Sequence, residues 1–129
     1  MHPLLEEAQR LMALTPAQAL ALQRRLRGRV VLQDQLGPLR RVAGMDVSYN
    51  RHAGVARAAI ALLSLPHLQL IEWSYSELPI SFPYVPGLLA FRELPALLHA
   101  FVKLQRQPDL ILCDGHGLAH PRRFGLACH

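Results

Sequence analysis

At 129 residues with 51% hydrophobic content, the chain suits one packed domain and is too apolar for a disordered segment. Its formal charge of +5 is carried mainly by thirteen arginines beside a single lysine, Lys103. Arginine forks grip phosphate with two prongs, which suits a polyanionic partner, although an arginine-favouring codon usage produces the same excess. No apolar run approaches the roughly 18–20 residues of a membrane helix. The start carries Glu6 and Glu7 and no basic segment followed by an apolar one, so it does not read as a secretory signal and a cytoplasmic protein is expected.

The first clear element is a helix from Thr15 to about Gly28. Thr15 caps it, Pro16 fits the first helical position and Gln18 completes a capping box. Leu22 and Leu26 should face inward, with Arg24, Arg25, Arg27 and Arg29 toward solvent or a nucleic-acid backbone. Three strands are predicted next, over Arg41–Tyr49, Arg57–Leu65 and Leu68–Glu77, the last two joined by a turn at Pro66-His67. Pro83, Pro86 and Gly87 then mark a stiff exposed loop around Tyr84. A short helical turn should cover Gly87 to Glu93, and a second helix should start at Pro95 and end before Pro108. The final strand is the apolar run Leu110 to Cys113. This order predicts an α/β domain whose sheet begins antiparallel and ends parallel. The last strand is apolar throughout, as strands covered on both faces are, and yet nothing follows to cover it. Residues 1–129 therefore read as one domain lacking its C-terminal part.

Three acidic residues stand out. Asp46 interrupts the apolar strand Gly44-Met45-Asp46-Val47-Ser48-Tyr49. Glu93 closes Phe91-Arg92-Glu93, and Asp114 ends the last strand. A charge amid apolar residues is costly unless it is paired or metal-bound. Carboxylates alone favour a hard cation such as Mg²⁺ or Mn²⁺; a solvated strand end or a helix cap is the structural alternative. Gly115 and Gly117 allow a sharp turn after Asp114. His116 reads as an exposed loop residue, whereas His120, beside Pro121-Arg122-Arg123, suits contact with phosphate or substrate. Tyr84 suits a stacking wedge against a base, or else a half-buried turn aromatic. Cys113 belongs to an apolar strand and reads as a small buried hydrophobe.

Three segments together resemble the endonuclease V family: Gly44–Tyr49, Phe82–Glu93 and Asp114–Gly125, in that family's order and approximate spacing. The resemblance runs from about residue 15 to the end. It implies a ribonuclease-H-like mixed sheet with flanking helices. It also implies a Mg²⁺-dependent endonuclease of DNA repair, with Mn²⁺ able to substitute. Such an enzyme cleaves the second phosphodiester bond 3′ to deoxyinosine in DNA, and some members act on inosine in RNA. No obligate protein partner is implied. By the same resemblance Asp46, Glu93 and Asp114 are the catalytic, metal-binding carboxylates. Pro83, Tyr84 and Val85 form the wedge, His120 lies near the lesion pocket, and Gly115 and Gly117 let the backbone approach the flipped base. A lysine and a final histidine or aspartate of the metal site would follow residue 129. Two positions depart from the usual pattern: His116 stands where Gln or Asn is common, and Leu94 where many bacterial members have glycine.

Two other readings compete. Asp114-Gly115-His116-Gly117 also resembles a tetrapeptide of metal-dependent protein phosphatases, a short motif with no use for the middle segment. Alternatively, the chain is a non-catalytic fragment that binds nucleic acid through its arginines and wedge or does not fold; lacking its C-terminal part, it is expected to show at best trace incision.

Overall fold

The computed structural model describes residues 1–129. In chain order it contains α1 (Pro3–Met12), α2 (Pro16–Leu26) followed by a 3₁₀ turn (Arg27–Arg29), β1 (Arg41–Asn50), β2 (Val55–Ser64), β3 (Leu70–Pro79), α3 (Ala90–Phe101) and β4 (Leu110–Cys113). No helix is long and apolar enough to cross a membrane. The strands form one sheet in the order β3-β2-β1-β4. The β1–β2 and β2–β3 pairs are antiparallel and β1–β4 is parallel, so the sheet begins antiparallel and ends parallel as expected.

Strand β2 shows why one face of the sheet becomes the core. Ala56, Ala58, Ile60 and Leu62 alternate with more exposed residues and are all buried. Helix α3 packs across that face, laying Phe91, Ala96, Leu97 and Ala100 into the core. Small side chains at Ala96 and Ala100 let it come close. The hydroxyl of Ser74 donates to the Ala100 carbonyl at 2.7 Å, and that of Ser76 donates to the Ala96 carbonyl. The opposite face carries Gly44, Asp46, Ala59, Trp73 and Leu112 and has no helix over it.

The capping box at Thr15 is formed: Thr15 Oγ1 accepts from Gln18 N, and Gln18 Oε1 accepts from Thr15 N. Helix α2 gives way to the 3₁₀ turn after Leu26, short of Gly28. Three expectations need correction. Helix α1 lies in a stretch with no predicted element; His2 caps it, Pro3 opens it, and Ala8 and Leu11 are fully buried. Pro95 does not start a helix but sits inside α3. An interior proline costs about 3 kcal/mol. Burying Phe91 and Leu97 on the same helix returns roughly 1.5–3 kcal/mol each, so packing outweighs the break. Strand β4 matches its predicted range, but Ile111 and Leu112 are exposed and Cys113 is only half-buried.

Candidate nucleic-acid and metal site

Strand register brings two of the carboxylates together. Met45 pairs with Cys113 in the parallel ladder, so the next residues, Asp46 in the middle of β1 and Asp114 just past the end of β4, lie side by side. Both are exposed and line one shallow depression on the open face of the sheet. Asp46 Oδ1 accepts from Val47 N at 2.9 Å.

Glu93 arrives from the first turn of α3 and is only 9% exposed. It occupies the helix stripe that also buries Leu97 and Ala100, which is why a carboxylate there is unusual. Its Oε2 accepts from the Tyr49 hydroxyl at 2.8 Å. Burial holds the Glu93 carboxyl above the usual range, and the charges of Asp46 and Asp114 push the same way; the Tyr49 hydrogen bond and Arg92 oppose them. Tyr49 is itself pushed well above the usual phenol range, first by burial and then by Glu93.

Glu93 thus lies within electrostatic reach of Asp46 and Asp114, and an all-oxygen donor set suits a hard cation. They are neighbours and not a closed ligand shell: no three His, Cys, Asp or Glu side chains are grouped tightly enough to hold a metal as they stand. The donor chemistry fits Mg²⁺ or Mn²⁺, and the exposed Asp46 and Asp114 are the groups with freedom to adjust.

Above the carboxylates stands the loop 81–89. Phe82 anchors it, its ring 5.5 Å from that of Phe91. Pro83 and Tyr84 project into solvent and Val85 is half-buried. Arg92 joins the two regions: its guanidinium lies 5.3 Å from the Tyr49 ring centroid and 5.8 Å from that of Tyr84, and it donates to the Phe82 carbonyl.

A cavity of about 240 Å³ lies between this loop and the turn 115–125, with Tyr84, Gly87, His116, His120 and Gly125 among its walls. Both nitrogens of His120 are engaged. Nε2 meets the Gly87 carbonyl at 2.7 Å, and Nδ1 faces the backbone N–H of Arg122 at 3.1 Å. A carbonyl only accepts and an N–H only donates, so the proton resides on Nε2. Glycine is required here chiefly at Gly125, where a Cβ would meet the His116 carbonyl oxygen at 2.2 Å. Gly115 packs against Leu126, Gly117 has nearly open space, and neither lies at positive φ. Beyond the cavity, Arg27 and Arg123 border a groove with Leu118.

Tyr49, Arg92 and Gln23 carry no role in the sequence analysis, and Arg122 enters it only as a cation beside His120. Tyr49 and Arg92 lie inside the segments Gly44–Tyr49 and Phe82–Glu93, where an aromatic or a cation near a lone carboxylate is the signal. Gln23 had none, since it reads as one more polar residue of an exposed helix.

The family model for Endonuclease V matches residues 24–129. Endonuclease V of Trichormus variabilis is 50% identical over 117 residues, which is 90% of this chain and 53% of that protein. The chain therefore spans about half the length of the curated relatives it matches. Among solved structures, Endonuclease V of Streptomyces avermitilis superposes with a TM-score of 0.82 at 48% identity, over 88% of this chain and 50% of that one. Ciona intestinalis Endonuclease V, in complex with a 24mer DNA containing an inosine followed by a ribo-adenosine, gives 0.77 at 29% identity, over 86% and 50%. With the three segments in place around one site, the chain belongs to the endonuclease V family.

Proposed function

We propose that the protein acts as a divalent-cation-dependent endonuclease of DNA repair, cutting the second phosphodiester bond 3′ to deoxyinosine, with inosine in RNA as a further substrate. The observation that carries this reading is the meeting of Asp46, Glu93 and Asp114 beside an exposed, proline-stiffened Tyr84 loop. The DNA-bound relative supports the substrate class. The phosphatase reading of Asp114-Gly115-His116-Gly117 loses its support with the family assignment.

Asp46, Glu93 and Asp114 would hold Mg²⁺, or Mn²⁺ in its place. When bound, such a cation supplies charge neutralisation for the attacking and leaving oxygens of an in-line displacement. Tyr49 holds the Glu93 carboxylate in one orientation and keeps its own proton there. Tyr84, flanked by Pro83 and Val85, would fill the gap left by an extruded base, and the cavity walled by His120, Gly87 and Gly125 would receive that base, with Gly115 and Gly117 shaping the turn that carries His116 and His120. The arginines at 24, 25, 27, 29 and 123 would supply affinity for the phosphates that falls with salt.

The test is incision of an end-labelled inosine oligonucleotide by the wild type and Asp114→Asn, with and without Mg²⁺. Mg²⁺-dependent cutting by the wild type, reduced at least about a hundredfold in the variant, is expected because catalytic groups acting as a unit lose most of their effect together. Cutting that is indifferent to Mg²⁺, or equal in the variant, overturns the reading. Calorimetric titration with Mn²⁺ should show weaker binding by Asp114→Asn.

A further inference from the structure

The Gly87 carbonyl receives three donors from three parts of the chain. Gln23 Nε2, on α2, lies 2.9 Å from it. Arg122 Nη2 lies 3.1 Å away and His120 Nε2 2.7 Å away. Gln23 also accepts from Arg122 Nε at 2.6 Å, so its amide uses both a donor and its acceptor. Gln23 is 0% exposed. A buried amide left without partners is costly, so each partner constrains the others. Gly87 sits at φ +84°, and a Cβ there would meet Arg122 Nη2 at 2.5 Å. Only glycine lets the guanidinium close on this backbone.

The geometry points to Gln23 as a positioning residue. Through Arg122 and the Gly87 carbonyl, it holds the Tyr84 loop at a set distance from the turn 115–125 and so sets the selectivity of the cavity between them. The selectivity claim rests on the nuclease reading above; the positioning claim does not. Arg122 is thereby assigned to the clamp, since its Nε and Nη2 are spent on Gln23 and Gly87, and Arg123 is left as the outward-facing cation of the pair. The Gln23 side chain hydrogen-bonds to Gly87 and Arg122 and not to Tyr84 or the carboxylates, so its effect must pass through the loop.

Three variants of the full chain separate this role from general stability. Gln23→Met fills similar space without hydrogen bonds. Gln23→Glu keeps an acceptor for Arg122 but loses the donor to Gly87. Arg122→Lys, at a partly exposed position, keeps the charge and loses the Nε contact. Hydrogen exchange is followed for residues 84–90 and 116–124 against the strands. Binding is measured with single-stranded oligonucleotides carrying deoxyinosine or deoxyadenosine, in Ca²⁺ in place of Mg²⁺.

In Gln23→Met and Arg122→Lys, exchange should rise about tenfold in both loops, and the preference for inosine should fall by a similar factor. The strands should keep their protection, Mn²⁺ affinity should not change, and Gln23→Glu should fall between. If Gln23→Met fails to fold, Arg122→Lys decides by the same readouts. Unchanged loop exchange in a folded variant, or a uniform rise including the strands, overturns the positioning claim. Loosened loops with an unchanged preference overturn the selectivity claim. A wild type that does not prefer inosine defeats the nuclease reading and its selectivity consequence, while loop exchange still decides whether Gln23 is a clamp.

Discussion

Tyr84 is 72% exposed on a loop held by Pro83, Pro86 and the buried Phe82, and only Arg92 attends its ring. An aromatic this exposed contributes little to the core, so its removal should cost function more than stability. Tyr84→Ala should weaken discrimination between inosine and undamaged strands by about 1–3 kcal/mol, the worth of one stacked base. Its melting temperature should stay near that of the wild type. Paired binding isotherms and melts check this, and an unchanged preference refutes it. Glu93 is the opposite kind of residue: it is buried and tied to Tyr49, and burial first, then the charges of Asp46 and Asp114, hold its carboxyl above the usual range. Its raised pKa means that ionising it opposes folding. The sequence pattern identified it only as a charge among apolar residues; burial and the nearby aspartates make it the most strongly constrained of the three acids.

At the scale of the elements, a carboxylate outside the site sets the register that builds it. Asp109 Oδ2 accepts from Arg40 N at 2.8 Å and Arg41 N at 3.0 Å, and Asp109 N donates to the Arg41 carbonyl. This clasp starts the β1–β4 pairing, which five residues later places Asp114 beside Asp46. Hydrogen bonds from those two amides hold the Asp109 carboxyl below its ordinary 3.8. The folded value is depressed, so its contribution is present above the unfolded value and is lost as pH falls through the folded one. Asp109→Ala should melt below the wild type near pH 7, and the gap should narrow as pH falls below the ordinary carboxylate range. A gap unchanged by that fall would show that the carboxylate charge is not responsible.

At the scale of the whole molecule, the sheet is covered on one face only. Trp73 is 70% exposed and Leu112 58%, and β4 forms an edge whose outer backbone groups have no strand partner. Edges of this kind pair with other chains. The 129-residue chain should therefore associate with rising concentration in sedimentation velocity, and Leu112→Lys should reduce that association. A monomer at all concentrations for the wild type would refute the expectation. Strand β4 is apolar on both faces, yet Leu112 on the open face and Ile111 on the helix side are both exposed here.

What the sequence determined by itself was local or periodic. The Thr15-Pro16-Ala17-Gln18 cap uses atoms three residues apart. The alternation of β2 is visible in its own side chains, and Asp46 and Asp114 declare themselves as charges ending or interrupting apolar runs. The family resemblance belongs here too, since it was carried by three contiguous segments. The tertiary structure decided what depends on distant partners. Pro95 stays helical because a shared core rewards the continuous helix. Tyr49 reaches Glu93 across 44 residues, and Gln23 reaches Gly87 across 64 and Arg122 across 99. No periodicity encodes such pairs. A buried polar group finds its partner only when packing excludes water and leaves a single geometry that satisfies both.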